Sequence, residues 1–327
     1  MNKLKSFFDS VAEKMKDRSV QKKKEREITK KIKHSASKKK NGFSFIGLFS
    51  FIILVLYSVS LFIPMLWSLM TSFKTNIDYL SNGFGLPEVW VNNYKVVFKY
   101  FIVEVKDGAG VRNAEIGEMI INSIVYALGG ALVSTATSLC VAYACSRFNF
   151  RFLNVVYTVI IIAMIIPIVG SLPSELAMAR SLGLYDSLFG IIIMRAYVVG
   201  LHFLIFYAAF KMVPKAYSEA AYVDGAGNFQ IFTRIMLPMV SGPFFTVVLL
   251  NFISSWNDYT TPMVYMPNHP TLAYGLFYFV NGSYRLETSN VPMNLAGCML
   301  MAVPLLIIFL VFHKKLLSNV TTGGLKG

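Results

Sequence analysis

The residues best placed to do chemistry in this sequence sit together, in a polar stretch between two apolar runs: Val213-Pro-Lys-Ala-Tyr-Ser-Glu-Ala-Ala-Tyr-Val-Asp-Gly-Ala-Gly-Asn-Phe-Gln-Ile-Phe-Thr-Arg-Ile-Met-Leu-Pro238. Pro214 suits the first turn of a helix, whose early N–H groups lack partners in any case. Ala216, Glu219, Ala220 and Ala221 favour helix, and Gly225 can take the left-handed conformation that ends one. A second short helix is predicted from near Asn228, stopping before Pro238. The first helix is too short and polar to cross a bilayer, so it should lie in or below the headgroup plane. Ala220 and Ala221 leave a close-packing face able to enter a groove on another protein. Glu219 and Asp224 can offer carboxylates to Arg or Lys of that partner, as charge-assisted hydrogen bonds. A plain amphipathic linker helix is the blander reading of the same letters.

A second group of polar residues falls within or at the ends of apolar runs: Arg195, His202, Trp256, Asn257 and Asp258. An intramembrane charge is costly and normally faces a cavity or a partner. Arg195 and His202 are seven residues apart, hence on one helical face, and could line a solute pathway. Trp256 could supply a stacking surface beside Asn257 and Asp258. The alternatives are a snorkelling Arg195, a His202 hydrogen-bonded between helices, and an Asn257–Asp258 interface cap. Catalytic machinery is not expected: the chain has no Gly-x-Ser-x-Gly, no His-Glu-x-x-His and no paired carboxylates placed for acid–base work. It also lacks the Gly-x4-Gly-Lys-Ser/Thr phosphate loop. Cys140, Cys145 and Cys298 have neither CxxC spacing nor a His at metal-ligand spacing, so no metal site or disulfide framework is predicted.

The elements that must carry these residues are set by apolar content. Of 327 residues, 55% are hydrophobic, above the usual level for a soluble domain, and they are gathered in long blocks. About 20 apolar residues cross a hydrocarbon core of roughly 30 Å. Six runs meet that need, at about 45–69, 119–145, 152–172, 188–210, 241–257 and 291–312, with the polar loop at 213–243. The uncharged stretch Tyr259–Tyr284 is set aside. Its Pro262, Pro267, Pro270, Gly275, Asn268 and Asn281 would free backbone groups that lipid cannot satisfy, so it reads as an outer loop that dips partway in at most. The expected fold is all-α: a polytopic membrane bundle of six transmembrane helices. Placing the N-terminus inside puts 23 of the 31 Lys and Arg on the cytoplasmic side and seven outside, with Arg195 in a span. The positive-inside bias therefore agrees with both termini being cytoplasmic in a cell membrane.

Net charge is +14, but residues 1–40 hold 15 basic and five acidic residues. The charge is concentrated in that tail, and nothing after it forms a basic groove interleaved with aromatics, so nucleic acid is not an expected partner. The tail is too long and too charged for a signal peptide, and the apolar run after it is too long for an h-region. Leu4, Phe7, Phe8, Val11 and Met15 recur at helical spacing among lysines, which suits either a short helix on anionic lipid or a solvated tail; 22–40 reads as disordered. The loop from Lys74 to Glu118 could be a small capping structure or a surface for an external partner.

One further step rests on resemblance. Glu219-Ala220-Ala221, Gly225, Ile235, Leu237-Pro238 and the later Pro243 resemble the "EAA" loop of ATP-binding-cassette importer permeases. The run Glu-Ala-Ala-Tyr-Val-Asp-Gly-Ala is similar to the maltose-type, carbohydrate branch. Phe73-Lys74, Trp256-Asn257-Asp258-Tyr259 and the Gly-rich ending Thr321–Gly327 are weaker echoes. The resemblance runs from about Phe45 to Gly327. It implies a permease subunit, not itself an enzyme, that moves a sugar or oligosaccharide by alternating access. It implies as partners two separate ATPase subunits, which would hold ATP and Mg, a second permease that would be a different homologous chain, and an extracellular solute-binding protein. In the family the loop helix sits in a cleft of the ATPase. That would make Glu219 an ionic contact, Ala220 and Ala221 the packing face, and Gly225 the required turn, with Asp224, Leu237 and Pro238 completing the docking loop. An ATP-independent secondary transporter or channel is the alternative, and it would more naturally show paired broken helices in two halves.

Overall fold

The computed structural model describes residues 45–108, 110–166, 169–282 and 290–322, with backbone alone for 45, 46, 107 and 312–322. The basic tail 1–40, and with it the expected lipid-surface helix, lies outside the described residues. The chain divides into two compact units, 1–65 and 66–327. The described part of the first belongs to helix α1, Phe45–Thr71, which continues into the second and contains Pro64.

In the second unit, α2 (Asn76–Ser81) and α3 (Asn93–Tyr100) lead into an antiparallel hairpin, β1 (Val103–Asp107) and β2 (Gly110–Ala114). The expectation of an all-α chain therefore needs amendment. Val103, Val105 and Ala114 are buried, and alternate residues of a strand share a face, so this pair makes a small two-sided cover. Arg112 grips Glu118 with two hydrogen bonds of 2.6 and 2.8 Å, which ties the hairpin to the first turn of α4 (Ile116–Arg147).

Helix α4 organises the bundle. Ser123, Ala127, Gly130, Ala131, Ser134 and Ser138 are all buried and recur at helical spacing, so one face is nearly free of bulk. Small residues in that pattern let helices approach closely in lipid, where hydrophobic burial drives little association. Helices α11 (Ser241–Trp256), α7 (Leu188–Met194) and α8 (Leu201–Met212) all pack against α4. A Cβ at Gly129 would come 2.7 Å from Ile192 Cδ1, the tip of a side chain on α7, so α7 lies close to α4 there. Midway along, the buried Asn251 Nδ2 donates to Thr135 Oγ1 at 3.0 Å.

Three described helices have the length and apolarity to cross a membrane: Gly47–Thr71, Ile116–Arg147 and Val291–Val311, the last within α14 (Val291–Thr322). A fourth forms if α10 (Asn228–Met239) and α11, bent by 77°, count as one. The expected run 152–172 is a helix only as α5, Arg151–Ile165. Ile166, which precedes a proline, is extended at φ −77° and ψ 117°, as the proline ring demands of its neighbour. A separate helix, α6 (Leu172–Ser181), comes next. The run 188–210 is broken: α7 stops at Met194, and α8 begins only after an extended Gly200. Hydropathy cannot register such a break, because Ala196–Val199 is as apolar as the helices beside it.

The stretch 259–282 folds as two helices, α12 (Thr260–Tyr265) and α13 (Leu272–Asn281). Side chains of α4 help to satisfy its backbone. Asn122 Nδ2 donates to the Pro270 carbonyl at 3.0 Å, and the Leu272 N–H donates to Ser123 Oγ at 2.7 Å. A Cβ at Gly275 would lie 2.3 Å from Met119 Sδ, so α13 sits flush on α4.

Gly190 in α7 has the Leu184 carbonyl oxygen 2.2 Å from where a Cβ would stand, with further Leu184 backbone behind it, whereas Gly117 in α4 faces open space. Backbone cannot swing aside as a side-chain tip can. Gly190→Ala is expected to cost about 1–3 kcal/mol or more and to lower the thermal midpoint of the purified chain. Gly117→Ala is expected to leave that midpoint unchanged or raise it slightly. Equal midpoints for the two variants would refute the packing described for α7.

Candidate functional site

The polar loop between α8 and α11 forms the short helix α9, Ala216–Val223, and then α10. The end of α9 is a full left-handed cap. Gly225 has φ +81°, its N–H reaches the Tyr222 carbonyl at 3.0 Å, and the Ala226 N–H reaches the Ala221 carbonyl at 2.9 Å. Paired closures of this kind satisfy carbonyls that a helix end would leave bare. The predicted turn at Gly225 is thus present. The helix expected to stop before Pro238 instead runs on to Met239. Phe232–Met236 widens into a π-helical turn, with the Leu237 N–H bonded to the Phe232 carbonyl. Widening the turn makes room for a proline ring that would otherwise strike the carbonyl four residues back.

The two alanines part company. Ala221 is buried in a cluster with Tyr143, Phe210, Ile231 and Met236, while Ala220 is exposed. The inward alanine therefore fastens α9 to its own chain, and only the outward one remains on a free face. Glu219 and Asp224 are exposed, and among the described residues neither makes an ion pair. Leu237 is half-buried and packs on the same cluster, with Pro238 exposed. Tyr217, Val223 and Phe229 add exposed apolar surface around α9.

Two residues whose types mark them only as surface charge or apolar filler hold this loop in place. Arg147, the last residue of α4, donates through Nη2 to the carbonyls of Phe210 and Val213 at 2.5 and 2.8 Å. The Phe210 carbonyl also takes the Val213 N–H at 3.2 Å, so Arg147 adds a second donor where α8 ends, and a cation there also meets the negative end of the helix dipole. The Tyr143 ring packs on Phe148, Phe210 and Phe232, the last at 4.7 Å between centroids.

In the N-terminal half of α4, at Tyr126, a second polar cluster forms. Arg195 ends α7, and its Nη2 lies 2.6 Å from Asp258 Oδ2. It also donates to the Tyr126 hydroxyl, which in turn donates to Asp258 Oδ2 at 2.8 Å. Asp258 Oδ1 accepts the Thr261 N–H at 3.0 Å and so starts α12. Arg195 and Asp258, both candidates from sequence, are brought together across 63 residues, and Tyr126 is the member that sequence spacing has no means of revealing. The face expected to join Arg195 and His202 does not exist, because the helix is broken between them. Trp256 is buried, packed on Phe252 at 5.7 Å with its indole N–H directed to the Met301 carbonyl at 3.3 Å. It offers no stacking surface for a solute. Asn257 is exposed and bonds back to the Ile253 carbonyl at 2.8 Å.

Long apolar helices joined by interhelical polar pairs make this chain a multi-pass membrane protein. It belongs to the family of binding-protein-dependent transport system inner membrane components, whose model matches residues 134–320, and it is a permease subunit of an ATP-binding-cassette importer. The diacetylchitobiose uptake system permease protein NgcG of Streptomyces coelicolor is 26% identical over 276 residues, 83% of this chain and 86% of that protein. The galactooligosaccharides transport system permease protein GanQ of Bacillus subtilis is 28% identical, over 86% of this chain and 95% of that one. Among solved structures, a chain of a bacterial importer of the acidic polysaccharide alginate shares the fold, with a TM-score of 0.65 at 22% identity, covering 84% of this chain and 98% of that one.

Arg195 and Asp258 form a half-buried ion pair, with side chains 22% and 20% exposed, and removing one member leaves the other short of a partner. Arg195→Ala and Asp258→Ala are each expected to cost about 1–3 kcal/mol, while the double variant loses clearly less than their sum. Thermal melting of the three purified variants tests this, and strict additivity would mean that the pair is not coupled.

Proposed function

We propose that this chain carries a sugar or oligosaccharide inward across the cell membrane by alternating access, driven by a separate ATPase that docks on residues 213–243. The observation that carries the reading is α9 itself. It is a short helix that presents Glu219 and Asp224 to solvent, held by Ala221, Gly225 and Arg147 so that a push on it moves the ends of α4 and α8. Glu219 and Asp224 supply the ionic contacts, Ala220 and the exposed apolar residues the packing face, and Leu237 and Pro238 the joint into α11. The bend of 77° between α10 and α11 suits a helix lying along the membrane surface beneath a spanning one. Such a loop transmits whichever ATPase arrangement nucleotide favours.

On this reading the chain has six spans with both termini cytoplasmic, two of the spans being the short α5 and the broken α7–α8, and the Lys and Arg asymmetry supports that orientation. ATP and Mg belong to two ATPase subunits, and this chain performs no hydrolysis. A second permease completes the pathway, and an extracellular binding protein delivers the solute. The alginate importer has been solved in complex with a pentasaccharide-bound periplasmic protein. A saccharide cargo is supported by relatives named for diacetylchitobiose, galactooligosaccharides and maltodextrin. Arg195, His202, Asn257 and Asp258 are the pathway residues of this proposal, with Trp256 as scaffold.

Glu219→Ala and Gly225→Val test it. The first removes the ionic contact, and the second forces a branched side chain into the left-handed region. Each is expected to cut ATPase co-purification and labelled oligosaccharide uptake by at least about tenfold, equivalent to ~1.4 kcal/mol of docking energy. Normal uptake and ATPase association in both variants would reject the docking role, and uptake that survives ATP depletion would favour a secondary transporter.

A further inference from the structure

The segment after α1 is built with its polarity reversed. Between Thr71 and Val91 the charged residues are Lys74, Asp78 and Glu88, and the first two are buried. Lys74 Nζ donates to the Asn82 carbonyl at 2.5 Å, and Asp78 Oδ2 accepts the Glu88 N–H at 3.0 Å. The apolar side chains point the other way. Ile77, Leu80, Phe84, Leu86, Val89 and Trp90 are between 61% and 87% exposed. A segment facing water would not bury a lysine to present a phenylalanine.

The segment also turns back along α1. Trp67 Nε1 donates to the Gly83 carbonyl at 2.9 Å, and its ring packs on Phe84 at 5.8 Å. Trp67 lies four residues before the helix ends at Thr71, so Phe84 stands about 6 Å inside that end. A 27-residue helix is about 40 Å long, which exceeds a hydrocarbon core of roughly 30 Å by about a turn at each end. Trp67 and Phe84 therefore fall at the boundary between headgroups and acyl chains, where tryptophan is enriched.

Immersion at that depth requires backbone groups that need no water. The segment and its flanks meet part of this requirement by folding on themselves. The Gly85 N–H bonds Asn82 Oδ1 at 2.8 Å, Asn93 Nδ2 serves the carbonyls of Ser72 and Lys74 at 2.9 and 2.8 Å, and the Val91 N–H bonds the Phe73 carbonyl at 2.8 Å. We infer that residues 77–90 form an interfacial anchor, with Ile77, Leu80, Phe84 and Leu86 seated in the lipid at the end of α1. The apolar surface continues that of the last turns of α1, where Leu66 and Leu69 are exposed, and that continuity selects lipid as the occupant.

The test places a nitroxide at Phe84→Cys, and separately at Leu86→Cys, in the full chain with Cys140, Cys145 and Cys298 replaced. The assembled importer is reconstituted in phosphatidylethanolamine–phosphatidylglycerol vesicles, and collision with oxygen is compared with collision with a water-soluble nickel chelate. A label at Lys106→Cys in β1 is the aqueous reference. Oxygen access severalfold above nickel access, relative to the reference, is the expected result at both positions. Nickel access equal to the reference would overturn the anchor in favour of a water-facing loop. Shielding from both reagents would overturn it in favour of a protein partner. The native Trp90 gives a measurement without engineered cysteines: brominated lipid should quench the fluorescence that Trp90→Phe removes, and an unquenched Trp90 contribution counts against the anchor.

Discussion

Close approach along the small face of α4 is the constraint on which the rest depends. In lipid, apolar side chains gain little by touching one another rather than acyl chains, so helices associate through tight packing and interhelical hydrogen bonds. From Ser123 to Ser138 the buried positions of α4 carry nothing larger than serine apart from Tyr126 and Thr135, and both of these make polar bonds to other helices. A Cβ at Gly129 would press on the tip of Ile192 in α7, and one at Gly130 would stand in ordinary contact with Arg195 Cγ at 3.5 Å. The Asn251–Thr135 bond and the meeting of Arg195 with Asp258 each need their helices in close register.

Two different polar devices join α4 to its neighbours. About a third of the way along, Tyr126 meets Arg195 and Asp258, just after α7 ends and just before α12 begins. At its C-terminal end, Arg147 closes the carbonyl end of α8, and Tyr143 packs on the second loop helix. A single rigid helix thus touches both the region where a solute would pass and the loop where an ATPase would push. On the proposed function, displacement at the loop has to be felt at the solute, and a helix of 32 residues bonded at both Tyr126 and Arg147 would offer a direct mechanical route for it.

The departures from expectation share a cause. Residue type suggests outward roles for Trp256 and Ala221, and both are packing residues. An indole with its N–H satisfied by the Met301 carbonyl is as stable buried as stacked on a sugar, and an alanine fits a tight interior as well as a docking face. Residue type alone carries no sign for the direction in which the side chain faces. The stretch 259–282 obeys the same logic. Its prolines and glycines argue for exclusion from the bundle, yet Ser123 and Asn122 supply hydrogen bonds that such a backbone requires.

What the sequence determined by itself are the features that depend on local composition or on short spacing. The long helices α1, α4 and α14 were legible because lipid tolerates few charges over some 20 residues. The end of α9 was legible because a left-handed turn selects glycine within a few positions of a helix-forming run. The loop that identifies the family lies within one stretch of chain. Only the tertiary structure decided the break between α7 and α8, the union of Arg195, Tyr126 and Asp258, and the orientation of Ala221. Each of these depends on partners separated by tens of residues, and each replaces one apolar-compatible conformation with another, a choice that hydropathy and periodicity weigh equally.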